Sequence, residues 1–232
     1  MKQKVLITGA SRGIGYAMAT EFAAAGYAVY ALWHKAKEQL EDIGAADITP
    51  VQGDVADAAS VAAVCRAVGD VDILINNAAI SRFGLLTDLT DAEWDEVMAT
   101  NLKSVFLLSR AFLPAMIHKK SGKIINVSSI FGAVGGSCEV AYSAAKAGVI
   151  GFTKALAKEV GPSGIQVNCI APGVIDTAMN ARLSAEDLAA LCDETPLGRL
   201  GTPADVARLA RFLAEDKFIT GEVIHIGGGY LR

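Results

Sequence analysis

Lys4-Val5-Leu6-Ile7-Thr8-Gly9-Ala10-Ser11-Arg12-Gly13-Ile14-Gly15 decides how the rest of the chain folds. Its first half is a short apolar run, the pattern of a strand buried on both faces. Its second half is a glycine-rich turn, and an alanine-rich amphipathic helix to about Ala25 follows. Strand, turn and helix start in that order aim free backbone N–H groups and the positive end of the helix dipole at one point. A diphosphate suits that point. Gly9 allows a tight turn, Gly13 a close approach of backbone to ligand, and Gly15 close packing of helix on strand. A glycine turn without a ligand is the competing reading, and the position between first strand and first helix weighs against it.

The alternation continues without a break. Apolar runs at 28–32, 46–52, 71–75, 123–128, 166–170 and 221–226 read as strands. Asp57 caps a helix to about Val68. Residues 91–119 are helical with Thr90 or Asp91 as cap, and Pro114 should bend or divide that stretch. Residues 139–156 form one further helix, and Thr202-Pro203 starts the last one. Residues 81–90 and 130–138 read as loops, and the polar stretch 176–200, broken by Pro196, as a flap over a site. This pattern predicts an α/β chain with a single-domain Rossmann fold over 1–232: a doubly wound parallel sheet of about seven strands with helices on both faces.

Composition narrows the function classes. Hydrophobic residues make up 52% of the 232 and charged ones 20%, enough apolar material for a large core. A net charge of −4 argues against a nucleic-acid partner. No apolar run approaches a membrane span, and the N-terminus shows no signal-peptide pattern. Cys65, Cys138, Cys169 and Cys192 are widely separated and read as reduced thiols of a cytoplasmic protein. His34, His118 and His225 show no metal-ligand spacing, so no metal is expected.

Two stretches carry the chemistry. Past the second strand, the position where an NAD-binding domain keeps an acid for the ribose is Trp33, and the next acid is Glu38. Arg12, His34 and Lys35 can surround a 2′-phosphate instead, which points to NADP; a merely solvated Lys35 is the competing reading. Trp33 is placed to flank the adenine and Asp54 to bond its amino group. Asn76-Asn77-Ala78-Ala79 ends the fourth strand, awkward as packing and useful as ligand contacts. Further on stands Tyr142-Ser143-Ala144-Ala145-Lys146. Tyr142 and Lys146 are one helical turn apart on one face. A free tyrosine titrates near ~10. A fixed ammonium beside it favours the phenolate, so Lys146 is expected to lower the Tyr142 pKa and make a usable general acid.

Thr8-Gly9-x3-Gly13-Ile14-Gly15, Asn76-Asn77-Ala78, Asn101, Ser129, Tyr142-x3-Lys146 and Pro172-Gly173 resemble, in order and spacing, the short-chain dehydrogenase/reductase family over essentially the whole chain. The resemblance implies Asn101, Ser129, Tyr142 and Lys146 as catalytic residues. It implies cofactor contacts at Gly9, Ser11, Arg12, Gly13, Ile14, Gly15, Asp54, Val55, Asn77, Ala78, Ala79, Pro172, Gly173, Ile175 and Thr177. Lys146 would also bond the nicotinamide ribose, and Asn101 would hold a water leading from the lysine to solvent. Ser128 is the rival of Ser129. The family usually has glycine where this chain has Ala79.

Within the family the chain is similar to bacterial 3-oxoacyl-acyl-carrier-protein reductases through Asn101-Leu102-Lys103-Ser104-Val105-Phe106 and Gly198-Arg199-Leu200-Gly201. Gly136-Ser137-Cys138-Glu139-Val140-Ala141-Tyr142 instead resembles reductases of 5-aminopentanone-modified elongation factor P. Ser129, Cys138, Glu139 and Tyr142 are the expected substrate contacts. A carboxylate at Glu139 would attract a substrate ammonium; an acid at the helix start, satisfying its dipole, is the competing reading. Cys138 reads as a small buried filler. The basic turn with Lys119, Lys120 and Lys123 reads first as an ordinary solvated loop and second as a docking patch for either acidic partner. The implied partners are a ketone, free or tethered to a protein, and other copies of the chain in a homotetramer. A regulator that binds NADP without turnover is the reading from another class, and the complete catalytic set argues against it.

Overall fold

The computed structural model describes residues 2–35, 47–181 and 183–230. Seven parallel strands form one sheet in the order β3-β2-β1-β4-β5-β6-β7. They are β1 (Lys4–Thr8), β2 (Ala28–Trp33), β3 (Ile48–Gln52), β4 (Ile73–Asn76), β5 (Gly122–Val127), β6 (Ile165–Pro172) and β7 (Val223–Ile226). Glu38 and Ala46, named in the sequence reading, lie outside the described residues. The strand order reverses between β1 and β4. At such a point the loops leave in opposite directions and open a crevice beyond the carboxyl ends of the strands.

Side-chain alternation along the strands feeds two cores. Val5, Ile7, Ile73, Ile75, Ile125 and Val127 face α1 (Gly13–Ala24) and the last described helix. Leu6, Leu74, Ile124 and Val167 face the helices of the other layer. That layer holds α2 (Ala58–Val68), α3 (Asp91–Met98), α4 (Ser104–Lys119), the short α5 (Ile130–Val134) and α6 (Val140–Val160). Two further helices follow, α7 (Ala185–Glu194) and α8 (Pro203–Glu215). None of the described helices is long and apolar enough to cross a membrane.

The helix starts are legible one by one. Asp57 accepts from Ser60 N at 2.7 Å. Thr90, rather than Asp91, caps α3, in a reciprocal box with Glu93. Thr202 caps α8 with Pro203 in its first turn. The stretch 91–119 departs from expectation. It divides at a π-helical turn, Ala99–Lys103, centred on Asn101, and runs on through Pro114 inside α4. Pro114 lies on the exposed side, where a carbonyl that loses its amide partner can bond water. The expected loop 130–138 contains α5, and the expected loop 81–90 contains a 3-10 turn, Leu86–Asp88.

Candidate active site

The end of β1 is tied to the end of β4 by one hydroxyl. Thr8 Oγ1 accepts from Asn77 N and Ala78 N, each at 2.9 Å. The Asn77 amide nitrogen donates in return to Thr8 O at 2.9 Å. Asn77, expected as a ligand contact, therefore spends its side chain shaping the glycine turn. A Cβ on Gly9 would lie 2.9 Å from Ala78 Cα, and Gly9 has φ +64°. A Cβ on Gly15 would overlap Gly9 O. Gly13, at φ +54°, lies beneath Thr177 of the flap. The turn thus has no room for a side chain at Gly9 or Gly15, the positive φ at Gly13 disfavours one there, and backbone donors at the start of α1 face the crevice. A dinucleotide diphosphate fits such a cradle.

The adenosine end matches the reading in part. Arg12 and Lys35 are exposed, with no acidic partner among the described residues. His34 Nε2 lies 3.8 Å from Asp54 Oδ2. Asp54 Oδ1 accepts from Ala56 N at 2.9 Å, which leaves its carboxylate as much a turn-former as a ligand group. Trp33 packs partly against the core on the α1 side, and Ile14 does likewise. Val55 and Ile175 are buried in the two cores, where their side chains pack against apolar neighbours. Ser11, Ala78, Ala79 and Gly173 are part-buried around the crevice, and Pro172 ends β6 beside it.

The catalytic set gathers at the carboxyl ends of β4, β5 and β6. Ser129 follows β5 and begins α5, its Oγ accepting from Phe131 N at 3.1 Å. It is thus a capping serine, and it also hydrogen-bonds the Tyr142 phenol. Its rival Ser128 is turned away and donates to Lys146 O at 2.8 Å. Lys146 is buried and donates to Val127 O at 2.7 Å. Its Nζ lies 5.6 Å from the centre of the Tyr142 ring.

One expectation is overturned here. Tyr142 keeps part of its ring exposed, yet burial pushes its pKa up to about 12, the Ser129 hydrogen bond pulling it down and the Glu139 charge adding to the rise. Lys146 does not lower it. Burial holds the lysine itself down at about 8, so the ammonium that was to acidify the phenol is disfavoured by the same dry surroundings. The phenol is therefore a protonated donor at neutral pH.

Asn101 is buried at the π-helical turn. Its Nδ2 donates to Ile80 O at 2.8 Å and its Oδ1 accepts from Ile80 N at 2.9 Å. Its side chain holds the loop after β4, and each of these two atoms keeps one further hydrogen-bonding position. Glu139 is buried, 4% exposed, and its Oε2 accepts from Ser81 Oγ at 2.6 Å. It heads α6 without a side-chain cap, so its carboxylate stands at the positive end of that helix and also reaches across to Ser81. Cys138 is part-exposed with φ +60°, not a buried filler, and its carbonyl accepts from Gly84 N at 2.9 Å.

The lysine patch falls at the wrong end of the molecule. Lys123 is the second residue of β5, and its Nζ donates to Gln166 Oε1 and Asp216 O. Lys119 pairs with Asp70 and Asp72 at 3.7 and 3.8 Å. Both lie at the amino edge of the sheet, about one strand length (~17 Å) from the crevice. The flap 176–200 is anchored at its base, where Ile175 pairs with Gly201, and at its far end, where Leu197 N donates to Gly228 O at 3.1 Å. Sequence reasoning missed two contributors. Thr8 carries the signal of a hydroxyl just before the first glycine; Ser81 carries none, because its partner is 58 residues away.

Comparison with known proteins places this geometry. Residues 3–188 match the family model described as short chain dehydrogenase. The chain is 43% identical to the 3-oxoacyl-[acyl-carrier-protein] reductase FabG of Escherichia coli K12, covering 97% of this chain and 95% of that one. It is also 43% identical to the FabG of Staphylococcus aureus Mu50, covering 99% and 98%. Among solved structures, a putative gluconate dehydrogenase from Agrobacterium tumefaciens superposes with a TM-score of 0.93 at 32% identity, over 98% of this chain and 95% of that one. A 3-oxoacyl-[acyl-carrier protein] reductase from Brucella melitensis gives 0.92 at 36% identity, over 98% and 90%.

Proposed function

From the premise that the chain belongs to the short-chain dehydrogenase family, and is an oxidoreductase acting between CH–OH and C=O, we propose that it is an NADPH-dependent reductase of 3-oxoacyl groups on an acyl carrier protein. The observation that carries the reading is the meeting of the Ser129 and Tyr142 hydroxyls at the carboxyl edge of the sheet, one turn from buried Lys146. The identity to the FabG reductases supports the acyl-carrier substrate. Arg12, His34 and Lys35 support the phosphorylated cofactor.

In this reading the backbone of the Gly9–Gly15 turn holds the diphosphate. Bound there, the reduced nicotinamide supplies a hydride to the carbonyl carbon. Ser129 donates to the carbonyl oxygen as negative charge builds on it. Tyr142 gives that oxygen its proton. Lys146, its Nζ 5.6 Å from the ring centre, would bond the nicotinamide ribose, the other task the family resemblance implies for it. The apolar walls that raise the Tyr142 pKa also exclude water from the transfer. The reading includes a cytoplasmic location, one domain and a homotetramer; exposed Phe106, beside the groove it forms with Leu102 and Phe152, supports association through that face.

A second reading, reduction of an aminated ketone on elongation factor P, is favoured by the carboxylate of Glu139, three residues before the proton donor. Steady-state turnover of acetoacetyl thioester, an aminated ketone and plain ketones, each with NADPH and NADH, tests both. The first reading expects the thioester and NADPH to lead. A lead by the aminated ketone, lost selectively in Glu139→Gln, establishes the second. Tight NADPH binding with no ketone turned over refutes both and leaves a cofactor-sensing regulator.

A further inference from the structure

The loop after β4 is held from two sides by residues of the site. Asn101 grips both polar atoms of the Ile80 backbone, and the next residue, Ser81, donates to Glu139 at 2.6 Å. A second bond, Gly84 N to Cys138 O at 2.9 Å, closes the same seam. The result is a latch between the loop and the start of α6. It takes a carboxylate nearly out of water and fixes it three residues before Tyr142. Glu139 is the N-cap of α6 and Tyr142 its third residue, two positions whose side chains face each other at a helix start.

We propose that Glu139, latched by Ser81, is a positioning residue that keeps the Tyr142 phenol protonated and so sets the pH up to which the site donates a proton to a ketone. A fixed negative charge beside a phenol opposes a second one, and a dry setting strengthens that opposition. Ser81 keeps the carboxylate in place by donating to its charged form.

The other groups around Tyr142 leave this role to Glu139. Lys146, one turn on along α6, carries the opposite charge, and its Nζ is bound to Val127 O. Ser129 at the start of α5 donates a hydrogen bond and carries no charge. Cys169 of β6 is a fully buried thiol whose pKa burial raises to about 11, so it is neutral at working pH. Asp95 and Glu96 of α3, Lys103 of the π-helical turn, and Lys154, Lys158 and Glu159 farther along α6 are exposed, and solvent screens them. The field of Glu139 is the one that raises Tyr142 after burial itself.

The inference rests on Tyr142 being the proton donor, and the test separates the two. The pH dependence of kcat/KM is measured for ketone reduction and for oxidation of the product alcohol, in wild type, Glu139→Gln, Glu139→Ala, Glu139→Asp, Ser81→Ala and Tyr142→Phe. Gln keeps an acceptor for Ser81 and removes only the charge. The basic limb of reduction then moves to lower pH by about half a unit or more in the Gln and Ala variants. Alcohol oxidation at neutral pH rises by up to about twofold for a half-unit shift, because the gain in phenolate exceeds what its weaker basicity takes away. Asp restores the limb toward wild type, and Ser81→Ala moves it less than Gln does. An unmoved limb in both neutral variants, with activity abolished in Tyr142→Phe, overturns the role of Glu139. Full activity in Tyr142→Phe overturns the proton-donor reading instead. Ultraviolet difference titration of the phenol, with Tyr142→Phe as the subtraction, reads the same shift where a neutral variant is too slow to assay; an unchanged Tyr142 component there also overturns the proposal.

Discussion

Helices α6 and α8 pack on opposite faces of the sheet and treat charge in opposite ways. α8 has a full set of stabilising devices. Thr202 and Asp205 cap each other's backbone, Pro203 presets the first turn, and Arg199 and Arg208 both pair with Asp205. Arg211 reaches Glu21 of α1 at 2.9 Å. Its charged groups lie at the surface and its apolar side fills the core. α6 has no side-chain cap and no acid in its first turn, and it buries Lys146. Glu139, just ahead of it, is buried as well. One helix is built to hold the fold together. The other gives up local stability to keep a lysine and a phenol where burial shifts their pKa values, with a buried carboxylate just ahead of them.

The largest test of that contrast is Tyr142→Phe. It should lower kcat/KM by about a hundredfold to ten-thousandfold, with a melting temperature equal to or above wild type because a buried hydroxyl is removed. A melting temperature well below wild type would mean that Tyr142 serves packing, as the α8 residues do.

Lys146→Met comes next. Turnover falls steeply, while stability at neutral pH rises by about 2–3 kcal/mol, because a buried ammonium costs more than its one hydrogen bond returns. The pH dependence has a definite sign. Folded Lys146 gives up its proton at about 8, whereas the unfolded chain keeps it to the ordinary lysine value. Stability from this group therefore rises with pH across that window, and the Met variant lacks the rise. Urea unfolding at neutral and alkaline pH checks it; equal slopes in both proteins would erase the distinction between the helices.

The smaller effects belong to α8. Thr202→Ala should cost about 1 kcal/mol in urea unfolding and leave kcat alone. Asp205→Asn should lower stability at neutral pH and leave it unchanged in strong acid. Hydrogen bonds, first from Arg199 and then from Thr202 N, hold the Asp205 carboxyl well below its usual range. Its contribution is complete above the ordinary aspartate value and disappears as pH falls through the lower folded one, so the Asn variant flattens the acid limb of stability. The effect is modest because the pairs are solvent-screened.

Much of this was readable in advance where the signal is local. The Asp57 and Thr202 caps, the alternation of strands and helices along the chain, and the tight glycine turn before α1 follow from a residue and its near neighbours. The break in 91–119 was misplaced at Pro114 because a proline announces itself in sequence. The turn at Asn101 is set by a bond to Ile80 that no short window contains. The candidate site divides the same way. Tyr142 and Lys146 share a helix face by spacing alone, but the Ser128–Ser129 ambiguity closes only when one hydroxyl meets Lys146 O and the other meets the phenol.

By itself the sequence determined the alternation of strands and helices, the glycine cradle at the first turn, and the company of Asn101, Ser129, Tyr142 and Lys146. These depend on spacing, which a chain carries in one dimension. The tertiary structure alone decided that Tyr142 is harder, not easier, to ionise, that Glu139 is latched to Ser81, and that Lys123 serves the far edge of the sheet. Each of those depends on how much water is left around a group and on partners distant in the chain, and both come into being only when the sheet and its two helical layers close.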